Sequence, residues 1–303
     1  MKTVKLVQIL LAMIVVFSVL TPLADAQIPT VYALLAIADA DPSIGRAVVI
    51  DQKRVEDMLV QLQTICPVEK RVLLSSNGEL KSNLLLQWLQ EIQPESNDTL
   101  FIYYSGHGGM DRNQRTFLYL QDGVFMRSKL VDAVKGAKDS RLQLIITDCC
   151  SNGPEPPKEV VTPRPVPSKK ALMNLFLEHE GLLHITAASE KEYSWCSPRQ
   201  GGWFTRALID AFDDSSDTNG DGFVSWEEVF SIARADTQKR FEQVQPYFSD
   251  QQKRDMRNRG ITGQNPKAYS LPQRVGAFRS LWEARNPDSA FSISTKVDKS
   301  EYS

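Results

Sequence analysis

From Val31 onward the sequence alternates apolar, strand-forming runs with stretches whose apolar residues recur at helical spacing, and that alternation restricts the chain to an α/β domain with a mostly parallel central sheet. "VYALLAIAD" is the first strand. The helix after it, over 46–62, places Val48, Val55, Met58, Leu59 and Leu62 on one face. "KRVLLSS" and "LKSNLLLQWLQEI" repeat the strand and helix pair, and Asn97-Asp98 turns the chain into a third strand. A short hairpin strand "TFLYL", a helix "RSKLVDAVKGA" and the strongly apolar strand "LQLIITDCC" follow. Beyond a proline-rich stretch at 154–170, too poor in backbone donors for a helix, come a helix near "ALMNLFLEHE", a strand "LLHITAAS" and a helix from "WFTRALIDAF".

A chain of 303 residues with 42% hydrophobic and 24% charged content can bury a sizeable core. Its 35 basic and 37 acidic residues nearly cancel, so no extended basic field exists to attract nucleic acid or an anionic membrane. Lys2 and Lys5 precede an apolar run from Ile9 to Leu20, and Ala24-Asp25-Ala26 supplies a small-x-small cleavage site. Residues 1–26 therefore read as a signal peptide, which implies export and no stable membrane span once it is removed. Four cysteines in so long a chain make no disulfide framework, although export permits a Cys66–Cys196 bridge.

Two strands end on reactive side chains. "LFIYYSGHGG" breaks at Gly106 and sets His107 on a turn, while "IITDCCSNG" ends on Cys149 and Cys150. Ligands of open parallel sheets sit beyond the carboxyl ends of the strands, and a thiol needs a neighbouring base to become a nucleophile. The pair suggests a Cys-His dyad. His179 and His184, without such a setting, read as ordinary packed histidines.

"YYSGHGG" and "IITDCCSNG" resemble the histidine and cysteine blocks of the caspase-like cysteine peptidases, nearest the metacaspase-type branch, and "GGWFTRAL" is similar to a helix start late in those domains. The resemblance implies a three-layer α/β/α fold over 27–212 and an endopeptidase acting on protein or peptide substrates. It makes Cys150 the nucleophile, His107 the general base and Cys149 a packing residue, with the oxyanion held by the amides of Gly108 and Cys150. It places Asp148 in the pocket for the side chain before the cut, with Glu190 and Glu192 as further candidate acids, so that cleavage follows Arg or Lys. Ser151 and Asn152 depart from the His-Ser common after the family's cysteine. The loop at 154–170, with Lys158, Arg164, Lys169 and Lys170, is where such enzymes often cut themselves. Two alternatives stay open: a catalytically inactive member that presents a surface, and a legumain-like asparaginyl peptidase or transpeptidase.

"DTNGDGFVSWEE" fits the EF-hand pattern D-x-[DN]-x-[DN]-G-x₅-E throughout. Asp217, Asn219 and Asp221 offer side-chain oxygens, Phe223 its carbonyl, Ser225 a direct or water-borne contact and Glu228 a bidentate carboxylate, which is a donor set for Ca²⁺. The segment 213–240 then forms a helix-loop-helix unit with a single, structural ion. Residues 241–303 form a C-terminal extension that could complete the peptidase domain. The sequence sets no oligomeric state.

Overall fold

The computed structural model describes residues 28–137, 140–152 and 165–275. The signal-peptide segment, most of the proline-rich stretch and residues 276–303 of the C-terminal extension lie outside the described residues. The elements below all belong to one compact unit, Pro29–Arg279.

In chain order these are β1 (Val31–Ile37), α1 (Gly45–Leu62), β2 (Val68–Leu74), α2 (Ser82–Glu91) and β3 (Thr99–Gly106). A small antiparallel sheet of β4 (Gly108–Met110), β5 (Thr116–Leu120) and β6 (Gly123–Met126) precedes α3 (Arg127–Ala137) and β7 (Leu142–Asn152). Then come α4 (Lys169–Leu177), β8 (His179–Thr186), β9 (Ser194–Ser197), β10 (Gly201–Gly202) and α5 (Trp203–Asp210). The chain continues through α6 (Trp226–Val244), α7 (Asp250–Arg259), β11 (Lys267–Ser270) and β12 (Gln273–Arg274).

β2, β1, β3, β7 and β8 lie side by side and parallel, the arrangement that the strand and helix alternation predicts. All eight residues of β3 are buried, as a central strand covered on both faces requires. One face packs Leu34, Ile102 and Tyr104 against Leu85 and Leu89 of α2 and Leu130 and Val134 of α3. On the other, Phe101 meets Phe176 of α4 edge to face at 5.8 Å, and the Tyr103 hydroxyl lies 2.7 Å from Thr205 Oγ1 of α5.

The helix expected near 171 begins earlier, at Lys169, because the Ser168 side chain accepts from Ala171 N and caps it. Lys169 and Lys170 are thus helical rather than part of the proline-rich loop. Segments after 212 pack on the same unit. β11 and β12 run antiparallel on β8, and α6 and α7 close a second core of Trp195, Trp203, Phe241, Val244, Phe248 and Met256. Cys66 and Cys196 are both buried free thiols, so the bridge that export would permit is not made. No helix among the described residues is long and apolar enough to cross a membrane.

Candidate active site

Parallel pairing of β3 with β7 sets Ser105 opposite Asp148 and Gly106 opposite Cys149, which brings the residues that follow, His107 and Cys150, to one edge of the sheet. Of Cys150 the structure describes the backbone, which pairs with Ser194 of β9; its side chain lies outside the described residues. Gly106 is required at the turn. A Cβ there would stand 2.5 Å from the Tyr104 hydroxyl and 2.9 Å from Ala38 Cβ. That hydroxyl is 2.6 Å from the His107 carbonyl, which also accepts from Tyr119 N at 2.9 Å, so the histidine backbone is pinned. The His107 ring, about one third exposed, sets Nε2 3.0 Å from Ser43 Oγ and 3.3 Å from Asp41 Oδ2.

Gly108 lies against Cys149, and a Cβ on it would collide with Cys149 Sγ. Burial pushes the Cys149 thiol up to about 12, so it stays protonated and suits a packing role.

Asp148 lies fully buried. Its Oδ1 accepts from Ser194 Oγ at 2.6 Å, and its Oδ2 accepts from Thr205 Oγ1 at 2.7 Å and Thr205 N at 3.2 Å. Beside it stands Asp51 of α1, also fully buried, accepting from Gly202 N at 2.8 Å and Ser105 Oγ at 3.1 Å, with Arg54 Nη1 3.6 Å away. Burial, and after it the Asp148 charge, push the Asp51 carboxyl well above the ordinary range against the pull of Arg54. Gly201 and Gly202 roof this pair. A Cβ on Gly202 would run into Asp148 Oδ2, and one on Gly201 into Asp51 Oδ1; Gly201 also has φ +78°. Sequence reading missed Asp51 and Arg54, although Asp51 falls three residues after Val48 and four before Val55, a charge on the apolar stripe of a helix.

A cavity of about 630 Å³ opens beside Gly108, Thr147 and Cys149 and reaches Glu190, Glu192 and Tyr269. Asp148 does not line it. Glu190 and Glu192 do, but not as free acids awaiting a cation. Glu190 bonds Lys267 Nζ at 2.7 Å and the Tyr269 hydroxyl at 2.8 Å, which hold its carboxyl down at about 2, and Glu192 accepts from Asn265 N at 2.8 Å and Nδ2 at 2.7 Å. The partners come from residues 265–269, which no local pattern near 190 announces. His179 is buried and bonds the Asn174 carbonyl at 2.8 Å; His184 stacks on Tyr269 at 4.7 Å. Both are packed residues, as expected.

The 217–228 loop winds on itself. Asp217 accepts from the amides of Gly220, Asp221 and Gly222, Asn219 Oδ1 from Asp221 N, and Asp221 Oδ1 from Phe223 N. Gly220 and Gly222 take φ of +73° and +80°, which a sharp turn needs. Glu228 Oε1 accepts from Thr218 and Asn219 N, and its Oε2 from Ser225 N and Oγ. Ser225 and Glu228 thus form the capping box of α6, a role that S-x-x-E announces and the ligand pattern obscures. Phe223 is buried with its ring 5.2 Å from that of His179. The donors are all oxygen, which suits calcium in kind, yet no three His, Cys, Asp or Glu side chains among the described residues are grouped to hold a metal.

A model of the Caspase domain family matches residues 46–256. No curated protein matches the sequence. Among solved structures, caspase-1 from Spodoptera frugiperda is similar, with 14% identity, a TM-score of 0.48, and 81% of this chain and 88% of that chain covered.

Proposed function

The chain belongs to the caspase-domain family, cysteine peptidases in general, and we propose that it is an exported cysteine endopeptidase acting through Cys150 and His107. The observation that carries this reading is the β3–β7 register, which delivers both residues to one sheet edge. His107 takes the thiol proton. The thiolate attacks the peptide carbonyl carbon, and the oxyanion accepts from the amides of Gly108 and Cys150. As the C–N bond breaks, the imidazolium returns the proton to the leaving amine. Water, deprotonated by His107, then attacks the thioester and frees the acid and the thiol.

Cleavage after Arg or Lys is the specificity we infer. The acids Asp148 and Asp51, lying together beneath the strand ends, support it, since a carboxylate there favours a cationic side chain. The test uses purified mature protein on a peptide library. Cys150→Ala and His107→Ala should each abolish turnover with the melting temperature kept, and Cys149→Ala should largely spare it. A dead Cys149→Ala beside an active Cys150→Ala would move the nucleophile by one residue, and preference for Asp or Asn before the cut would refute the basic specificity.

Calcium at 217–228 is a second proposal, supported by the left-handed glycines and the all-oxygen donor set. Asp217, Asn219, Asp221, Ser225 and Glu228, with the Phe223 carbonyl, would hold the ion, which would draw those oxygens together and steady α5 and α6.

A further inference from the structure

We propose that Asp41, acting with Ser43, is the positioning group for His107: it fixes the proton on Nε2 and so leaves the lone pair of Nδ1 as the base. This rests on the peptidase reading for its meaning in catalysis, but the tautomer is a property of the chain itself.

The argument is a proton inventory. Asp41 Oδ1 accepts from Ser43 N at 2.8 Å, from Ser43 Oγ at 2.6 Å and from Ile44 N at 3.1 Å. Ser43 has one hydroxyl proton, and the carboxylate takes it. Ser43 Oγ, 3.0 Å from His107 Nε2, can then act toward the ring only as an acceptor, and Asp41 Oδ2, 3.3 Å from the same nitrogen, can only accept as well. Nε2 must therefore carry the hydrogen. Nδ1, across the ring, keeps its lone pair for the thiol proton, and the positive charge that forms on the ring faces a carboxylate.

The loop that carries Asp41 is built to stay in place. Its three bonds to residues 43 and 44 form an Asx turn leading into α1, and Ala38 N bonds the Ser105 carbonyl at 2.9 Å, tying the end of β1 to the strand that ends in front of His107. Burial works against the Asp41 charge, but the Ser43 and Ile44 bonds and the facing His107 outweigh it and hold its carboxyl below the ordinary value. The neighbouring acids are committed elsewhere. Asp39 accepts from Ser75 Oγ and Ser76 N beyond β2, and Asp111 beyond β4 bonds Arg115.

The experiment compares wild type with Asp41→Asn, Asp41→Glu and Asp39→Asn, by imidazole ¹⁵N shifts and by pH–rate profiles on an Arg or Lys peptide. Wild type should show the Nε2–H tautomer. Asp41→Asn keeps an oxygen for the turn but sets an amide donor against Nε2, so it should lose that tautomer, lower kcat roughly 10- to 100-fold with KM near wild type, and move the acidic limb of the profile to lower pH. Asp41→Glu should recover part of each effect; Asp39→Asn should leave tautomer and limb in place. An Nδ1–H tautomer in wild type overturns the proposal, as does an Asp41→Asn that keeps tautomer, kcat and limb, or an equal loss in Asp39→Asn. A wild type with the Nε2–H tautomer but no turnover on any peptide would remove the peptidase reading and support the positioning of the ring.

Discussion

The strand-end site and the 217–228 loop solve the same problem in opposite ways. Each holds carboxylates in a net of N–H and O–H donors, but the donors to Asp51 and Asp148 come from residues as far as 151 positions away, while those to Asp217 and Glu228 lie within 10. The first net is sealed, with Asp51 and Asp148 at 0% exposure. The second is only part-buried, with Thr218, Asn219, Gly220 and Asp221 exposed, Asp217 half-buried and Glu228 at 8% exposure, so water can replace many of the donors it loses. A charge in the sealed net has no such substitute, so the same chemistry carries far more energy at the strand ends than in the loop.

Arg54→Ala tests that contrast where the effect is largest. It removes the cation 3.6 Å from Asp51 and leaves two like carboxyls in an enclosed space, for which a loss of about 3–5 kcal/mol is expected in denaturant unfolding. Burial, and after it the Asp148 charge, raise the Asp51 carboxyl while Arg54 lowers it, so the native state of the variant takes up protons more readily than that of wild type as pH falls. Acidification should therefore shrink the deficit. A loss below about 1 kcal/mol that ignores pH would mean that the enclosure is not the dry site its burial implies.

The contrast also explains what could be read in the sequence. The strands of the parallel sheet and the helices between them follow from local apolar patterning, whereas the short β4, β6, β9 and β10 carry too little of it to be read. The turns at Gly220 and Gly222 are local and equally legible, while the capping box at Ser225, though local, is hidden under the ligand pattern. His107 and Cys150 draw attention in the sequence because each closely follows an apolar strand run. The roof of Gly201 and Gly202 over Asp51 and Asp148, and the capture of Glu190 by Lys267, do not, since they arise when α5 and β11 fold back on earlier strands. Asp41 lay in view one residue before a proline, but its partner is 66 positions away and the turn it makes looked like any other.

Calcium gives the intermediate effect. If the loop binds the ion in the folded state alone, stability rises as RT ln(1 + [Ca²⁺]/Kd), about 2.7 kcal/mol at a hundredfold excess over Kd. Asp217→Ala and Glu228→Ala should abolish that gain. Without calcium, Glu228→Ala should still cost about 1 kcal/mol through the lost cap of α6. A wild-type melting temperature indifferent to calcium and chelator would leave the loop a self-contained turn, held by the amides the structure already shows.

The smallest effect belongs to the ion pair on the cavity wall. Glu190 and Lys267 are 2.7 Å apart, shorter than Asp51 and Arg54, yet their side chains are 35% and 40% exposed against 0% and 4%. If distance decided strength, Glu190→Gln would be the costlier change. If burial decides, it should cost under about 1 kcal/mol, because solvent screens the pair and two long side chains must be ordered to form it. The pH dependence has a definite sign. The Lys267 bond first, with help from Tyr269, lowers the folded carboxyl to about 2, below its unfolded value of roughly 4.3, so its contribution is complete above that unfolded value and disappears as pH falls through the folded one. Wild type and Glu190→Gln should therefore differ most near neutral pH and converge toward pH 2, and added salt should narrow the gap at neutral pH. A deficit in Glu190→Gln that matches Arg54→Ala would reverse the ranking of the two regions and show that the wall of the cavity, rather than the enclosed acid pair, anchors this end of the sheet.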